Sequence, residues 1–511
     1  MNNASALLRT LIVYAICVPL AIWLGYLLTS MADFSRSTYI ETGLFALVLC
    51  LPLLLRWHYV LLVLSLNLSI TVFFLPGHTP LWMPVLALSL GISVLQRALN
   101  RDMRFISAPQ IARPLICLMV VVLVTAKLTG GIGLRSFGGD VMGGKKYFFL
   151  LGGILAYFAL TARRIPPDRV GFYVGLFFLS VCSSAVGDLV AVLPSSFNFI
   201  FWFFPANGYI LGESEADAGY RFGGVSAMAV CILTFMQARY GIRGVFMSGR
   251  PWRMFVFLFF AALVPFGGFR SILLGCALLF LIQFYLEGLH RTTLLPKFLF
   301  VGILAFTLAV PFANKLPYVV QRTLSFLPVN IDRAAREDAE STSDWRVQIW
   351  KAVLPQVPQH LLLGKGYVIT QLDYDQMSGG GFHAISAADW GSALAGDYHN
   401  GPLSVVLPFG IWGAIAFLWF MAASIRALYH NYKYGDQSLQ TINTLLLAAF
   451  LTHAAMFFLI FGTFENDILT FASLIGLSVS LNGGIRRPMT EPVKTEMPVF
   501  SRPRLQAGFQ R

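Results

Sequence analysis

Gly401-Pro-Leu-Ser-Val-Val-Leu-Pro-Phe-Gly-Ile-Trp-Gly-Ala-Ile-Ala-Phe-Leu-Trp-Phe-Met-Ala-Ala-Ser-Ile425 contains no charged residue. A helix rises about 1.5 Å per residue, so about 20 apolar residues cross the hydrocarbon core of a bilayer. Similar runs recur along the chain. Spans are expected near 9–29, 39–55, 58–75, 81–97, 112–129, 146–162, 170–193, 223–239, 252–268, 270–287, 297–313, 400–427, 441–462 and 466–482. The run at 9–29 lacks a basic leader and a small-residue cleavage site, and more spans follow it, so it does not read as a cleaved signal peptide. Arg56-Trp57-His58 is expected to separate two neighbouring spans.

Composition agrees. The 511 residues are 57% apolar and 12% charged, whereas a soluble protein is about one quarter charged. The mean hydropathy of +0.70 is too high for a surface that must meet water. Soluble globular, disordered, fibrous and secreted disulfide-rich classes are excluded. The apolar runs are continuous rather than alternating, which excludes a barrel. The fold class is all-α, a polytopic transmembrane helical bundle of about 12–14 spans. Its six cysteines all fall in apolar runs without disulfide or metal-ligand spacing, and read as packing residues.

The net charge of +13 points to topology, since no basic soluble domain exists to bind nucleic acid. One set of loops carries Arg97, Arg101, Arg104 and Arg113, then Arg163, Arg164 and Arg169, then Arg239, Arg243, Arg250 and Arg253. Arg291, Lys297, Arg426 and Lys433 continue it. That side is assigned to the cytoplasm, with both termini, and the 193–222 and 314–397 loops face outward. Three regions follow. Residues 1–220 are N-terminal helices, 221–482 a second membrane region including the outward loop, and 483–511 a disordered basic tail able to meet anionic membrane lipids. No internal repeat is visible, which disfavours an inverted-repeat transporter.

The 314–397 segment is the only sizeable polar stretch and should fold into something functional. Ser343 reads as a helix cap, with Asp344 in the first turn and Trp345, Ile349 and Val353 on one apolar face. Arg346 would lie near the positive end of that helix, and Pro355 and Pro358 would end or kink it. The loop continues through Leu361-Leu-Leu-Gly-Lys-Gly-Tyr367 and Ser378-Gly-Gly-Gly381, and closes on Asp397-Tyr-His-Asn400.

His399 stands at the outer membrane boundary, followed by Asn400, Gly410 and Gly413. An imidazole there could take a proton between a polar acceptor and a lipid-borne donor. The alternatives are an interfacial ring capping a helix, and glycines that serve close packing. Arg270 follows Gly267-Gly268 and opens an apolar span, where it either snorkels or binds an anion such as phosphate. Arg221 lies at another outward helix start, although Glu213, Glu215 and Asp217 offer it a plain salt bridge. Together these residues suggest one cationic site in the outer leaflet. Lys127, Asp188, Glu287 and His453 lie within or near spans and are candidates for an ion path, Asp188 and His453 above all. Asp373-Tyr-Asp375 mimics an acidic pair that holds a divalent cation, against solvated charge.

The region 220–480 resembles the O-antigen ligase and polysaccharide polymerase family of integral-membrane glycosyltransferases. His399-Asn400 with Gly410 and Gly413 is similar to the family's His-Asn motif ahead of a late span. Arg270-Ser-Ile-Leu-Leu274 is similar to its Arg-x-x-x-Leu motif, and Arg346-Val-Gln-Ile-Trp350 followed by Leu363-Gly-Lys-Gly366 to its Arg/Trp helix and Gly-x-Gly turn. The family's first phosphate-binding arginine falls on Arg221. The resemblance implies a glycan donor on undecaprenyl pyrophosphate and an acceptor hydroxyl on a glycan, on lipid A–core or on a protein. It implies arginines 221, 270 and 346 on the pyrophosphate or acceptor, with His399 as general base, Asn400, Gly410, Gly413 and Trp350 supporting, and no cofactor or metal. It also implies a bacterial inner membrane with a periplasmic site. The competing class is a flippase for lipid-linked glycans or another envelope transporter, which predicts paired charges at the bilayer midplane.

Overall fold

The computed structural model describes residues 51–73, 75, 78–100, 104–130, 144–206, 210–211, 219–367 and 396–488. The expected span at 9–29, most of that at 39–55, Glu213, Glu215, Asp217, Asp373, Asp375, Ser378–Gly381 and most of the tail lie outside these residues.

Among the described residues the chain is almost entirely helical. The helices are α1 (Leu51–Ser65), α2 (Trp82–Leu99), α3 (Pro109–Leu128), α4 (Gly144–Leu160), α5 (Val170–Leu179), α6 (Ser184–Val190), α7 (Gly223–Phe246), α8 (Pro251–Leu263), α9 (Arg270–Leu286) and α10 (Leu294–Ala309). The described part of the 314–397 loop holds α11 (Tyr318–Thr323), α12 (Arg333–Val353) and α13 (Val357–His360). The last spans are α14 (Gly401–Tyr434), α15 (Gln440–Leu459) and α16 (Phe464–Asn482). Two short hairpins pair Thr71–Val72 with Thr79–Pro80, and Ile210–Leu211 with Gly219–Tyr220.

Among the described residues, seven helical stretches are long and apolar enough to cross a membrane, and shorter apolar helices accompany them. The protein is a multi-pass membrane protein. The outward face of α10 agrees, since Leu299, Phe300, Val301 and Ile303 are all exposed. Such a surface suits lipid and not water.

One hydrophobic core joins both halves of the chain, including Leu62, Leu115, Ile154, Phe417, Phe450 and Ile475. α16 packs closely along α4 because glycines sit at the contact. A Cβ on Gly153 would meet Ile468 at 2.7 Å, and one on Gly476 would meet Leu160 at 3.0 Å. Small residues let backbones approach where lipid supplies no hydrophobic drive between helices.

Several local expectations are corrected. Arg56, Trp57 and His58 do not separate two spans but lie inside α1, where the His58 ring bonds Ser89 Oγ at 2.9 Å. The 170–193 span is interrupted by a 3-10 turn at Ser180–Ser183. The outward-loop helix is not capped by Ser343. It starts at Asp332, whose side chain accepts from Ala334 N at 3.1 Å, and runs without a break to Val353. Alanines, glutamate and arginines between 333 and 340 are good helix formers, so an upstream cap extends the helix through Ser343. Arg346 therefore lies past the middle of α12, away from its positive end.

Candidate functional site

Four arginines line one cavity of about 330 Å³: Arg221, Arg270, Arg322 and Arg346. Each comes from a different part of the chain, two from the starts of membrane helices and two from the helices of the 314–397 loop.

Arg221 precedes α7, in a segment stitched to the turn after α8. Phe222 N donates to Phe266 O at 3.1 Å and Ser226 Oγ to Val264 O at 2.6 Å. Gly268 in that turn has φ +69°, and a Cβ there would press on Val319 at 3.0 Å and on Arg221 Nε at 3.2 Å. The guanidinium also lies 5.2 Å from the centre of the Phe269 ring. Arg270 is the first residue of α9, and its Nη2 donates to Ala339 O in α12 at 2.7 Å. Arg322, on α11, donates from Nη1 to Gly268 O at 2.7 Å and pairs through Nε with Asp338 at 2.6 Å. Arg346 reaches the cavity from α12. Burial and the charges of Arg270 and Arg322 hold its pKa below the ordinary arginine value, while Asp397 opposes them. Its Nε is buried without a hydrogen-bond partner among the described residues. Four cations sharing so small a space favour an anion that can accept several charge-assisted hydrogen bonds.

His399 stands beside this cavity. Its ring stacks on Phe461, with centroids 5.0 Å apart, and lies 4.8 Å from Trp345. The Arg346 guanidinium lies 5.6 Å from the centre of the same Phe461 ring. His399 Nδ1 is 3.3 Å from Asp397 Oδ1, which also faces the His399 amide at 3.3 Å. The backbone of His399 has φ +48°, a conformation that non-glycine residues rarely adopt. It turns the chain so that Asn400 can cap α14, accepting from Leu403 N at 3.1 Å. Trp350 donates from its indole to Tyr398 O at 2.9 Å, tying α12 to the residue before His399.

Gly410 and the Gly-Lys-Gly turn form one unit. At Gly410 α14 breaks, with φ +62° and ψ −160°. The break exposes the carbonyls of Leu407 and Pro408, which accept from Lys365 N at 2.8 Å and Gly366 N at 3.0 Å. Ile411 N donates to Leu361 O at 2.7 Å. The 314–397 loop is thereby anchored into a transmembrane helix, with backbone groups satisfied as an apolar surrounding demands. A Cβ on Gly413 would collide with the Phe409 side chain, so this glycine serves packing.

Sequence reading singled out three of the four arginines. Arg322 carried no motif, only its charge and its position in the outward loop. The four residues named as ion-path candidates lie in different surroundings. Asp188 is fully buried and accepts from Gly224 N and Val225 N at the start of α7, an acidic group on a helix N-terminus. Glu287 accepts from Ile242 N at 2.9 Å and Arg243 N at 3.1 Å beyond the break at Gly241. Lys127 is exposed near the end of α3. His453 pairs with Asp467 at 2.9 Å. Lys146 and Glu465 form a further pair at 2.5 Å between α4 and α16, which sequence reading did not foresee.

An O-antigen ligase family domain is identified over residues 255–418. The match covers less than half of the chain and includes Arg270, Arg322, Arg346, His399, Asn400, Gly410 and Gly413, while Arg221 lies outside it. A search of curated proteins gave no match. With the membrane-spanning helices, the O-antigen ligase domain supports a membrane-embedded enzyme of this type that acts on lipid-linked glycans.

Proposed function

We propose that the arginine cavity holds the diphosphate of a glycan carried on undecaprenyl pyrophosphate, and that the protein transfers this glycan to an acceptor hydroxyl. The acceptor is a glycan, lipid A–core or a protein. The reaction takes place at the periplasmic face of a bacterial inner membrane, with both chain ends in the cytoplasm. Residues 221–482 carry the chemistry, after the N-terminal helices 1–220 and before the basic tail. The observation that carries this reading is the convergence of four arginines on one cavity beside His399.

The chemistry follows from the charges. The bond between the anomeric carbon and the diphosphate breaks, and both electrons leave with the diphosphate oxygen. Arg221, Arg270 and Arg346 hold the donor's phosphates and stabilise the charge that grows there, as fixed donors do in a site poor in water. The acceptor oxygen forms the new bond from the opposite face and inverts the anomeric centre. His399 takes the proton that this oxygen loses. Asp397, beside Nδ1, suits the charge that the imidazole gains. No step calls for a cofactor or a metal.

The test uses purified protein and a lipid-linked glycan. His399→Ala is expected to lower turnover about 100-fold or more while donor binding persists. Undiminished turnover would remove His399 from the mechanism. In cells lacking the protein, undecorated lipid A–core beside long lipid-linked chains would mark a ligase, and single repeat units a polymerase.

A further inference from the structure

Two neighbouring residues of α12 are held by two cavity arginines. Asp338 pairs with Arg322 at 2.6 Å, and the Ala339 carbonyl accepts from Arg270 at 2.7 Å. The partners differ in exposure. The Arg322 side chain is 6% exposed and fixed to the Gly268 carbonyl, whereas the Asp338 side chain is 32% exposed on the surface of a loop helix. The carboxylate is the partner that water can solvate once a ligand displaces it. A carboxylate oxygen on a guanidinium has the geometry and charge of a phosphate oxygen in the same place. Arg322 lines the same cavity as Arg221, Arg270 and Arg346, and its charge is felt at Arg346.

We propose that Arg322 is a further ligand for the donor's diphosphate, and that Asp338 competes with that phosphate for it. The inference rests on the glycosyltransferase reading above. On donor binding the phosphate replaces the Asp338 carboxylate on a stationary Arg322, and this loosens one tie of α12, which carries Arg346 and Trp350, so that it settles around the bound lipid. Asp338 thereby sets a threshold. Only a ligand with enough negative charge to outcompete it gains the fourth arginine, which selects diphosphates over singly charged lipids.

The experiment measures binding of undecaprenyl pyrophosphate to the full-length protein in nanodiscs, with folding checked by thermal melting. Asp338→Asn removes the competitor while keeping shape, and is expected to tighten binding several-fold. Arg322→Gln is expected to weaken it about tenfold or more, the scale of a lost charge-assisted hydrogen bond. In the double variant the gain from Asp338→Asn should vanish, because it acts only through Arg322. If Arg322→Gln fails to fold, the direction of change in Asp338→Asn decides alone. Unchanged or weaker binding in Asp338→Asn, with Arg270→Gln still harmful, would make the Arg322–Asp338 pair a brace and overturn the proposal. Indifference to Arg270→Gln would instead strike the glycosyltransferase reading on which it rests.

Discussion

His399 stacks on Phe461 with ring centroids 5.0 Å apart, on a ring that also lies 5.6 Å from the Arg346 guanidinium. One aromatic side chain thus orients both the candidate base and a candidate phosphate ligand, and it comes from the short link between α15 and α16. Phe461→Leu keeps apolar bulk but removes the flat face. We expect kcat to fall several-fold with the melting temperature nearly unchanged, measured by product formation from a lipid-linked glycan. An unaffected kcat would show that the stack does not position the imidazole.

Gly410 should tolerate no side chain. Its backbone lies in a region almost reserved for glycine, and an added Cβ would stand 2.6 Å from Leu361 O. Gly410→Ala is expected to cost about 2 kcal/mol or more and to release the outward loop. Gly91→Ala, in α2, meets nothing within 4 Å and serves as the tolerated control. Equal melting temperatures for both variants would refute the anchoring role of the break.

The indole of Trp350 donates to the Tyr398 carbonyl, next to His399. Trp350→Phe loses that bond while much of the packing remains. A stability loss of about 1 kcal/mol is expected, with a larger proportional fall in turnover than in donor affinity. A change confined to affinity would argue that Trp350 serves the lipid and not His399.

Lys146 and Glu465 pair at 2.5 Å where α4 meets α16, and the Glu465 side chain is only 9% exposed. Lys146→Met leaves a nearly buried carboxylate without its cation and should cost about 3 kcal/mol. Adding Glu465→Leu should recover much of that loss, because both desolvated charges are then gone. A double variant less stable than Lys146→Met would indicate that Glu465 has a polar role of its own.

Lys351 is exposed on α12, in the loop assigned to the periplasm. A Lys351→Cys variant should react with a membrane-impermeant thiol reagent applied to intact spheroplasts. Labelling only after the cytoplasmic face is opened would invert the topology.

Arg270, His399 and Asn400 were legible because each stands where an apolar run begins, and a charge or a cap at such a boundary is a local feature. The amphipathic face of α12 was legible too, and Ile349 and Val353 are buried as their spacing required. Its start was not, because Ser343 and Asp332 are both acceptable caps and the longer helix prevails once its upstream turn is formed. Asp188 looked like an ion-path residue because sequence shows a carboxylate within an apolar run but not the two amides it meets.

Taken alone, the order of residues determined the membrane class, the apolar helices and the single large polar loop, since hydropathy acts along the chain and needs no partner. Tertiary structure alone decided that Arg322 joins Arg221, Arg270 and Arg346, and that Leu361–Gly366 seals the break at Gly410. Those are contacts between distant segments. The direction of a guanidinium or a bare carbonyl is set by how helices pack against one another, and no short stretch of sequence contains that information.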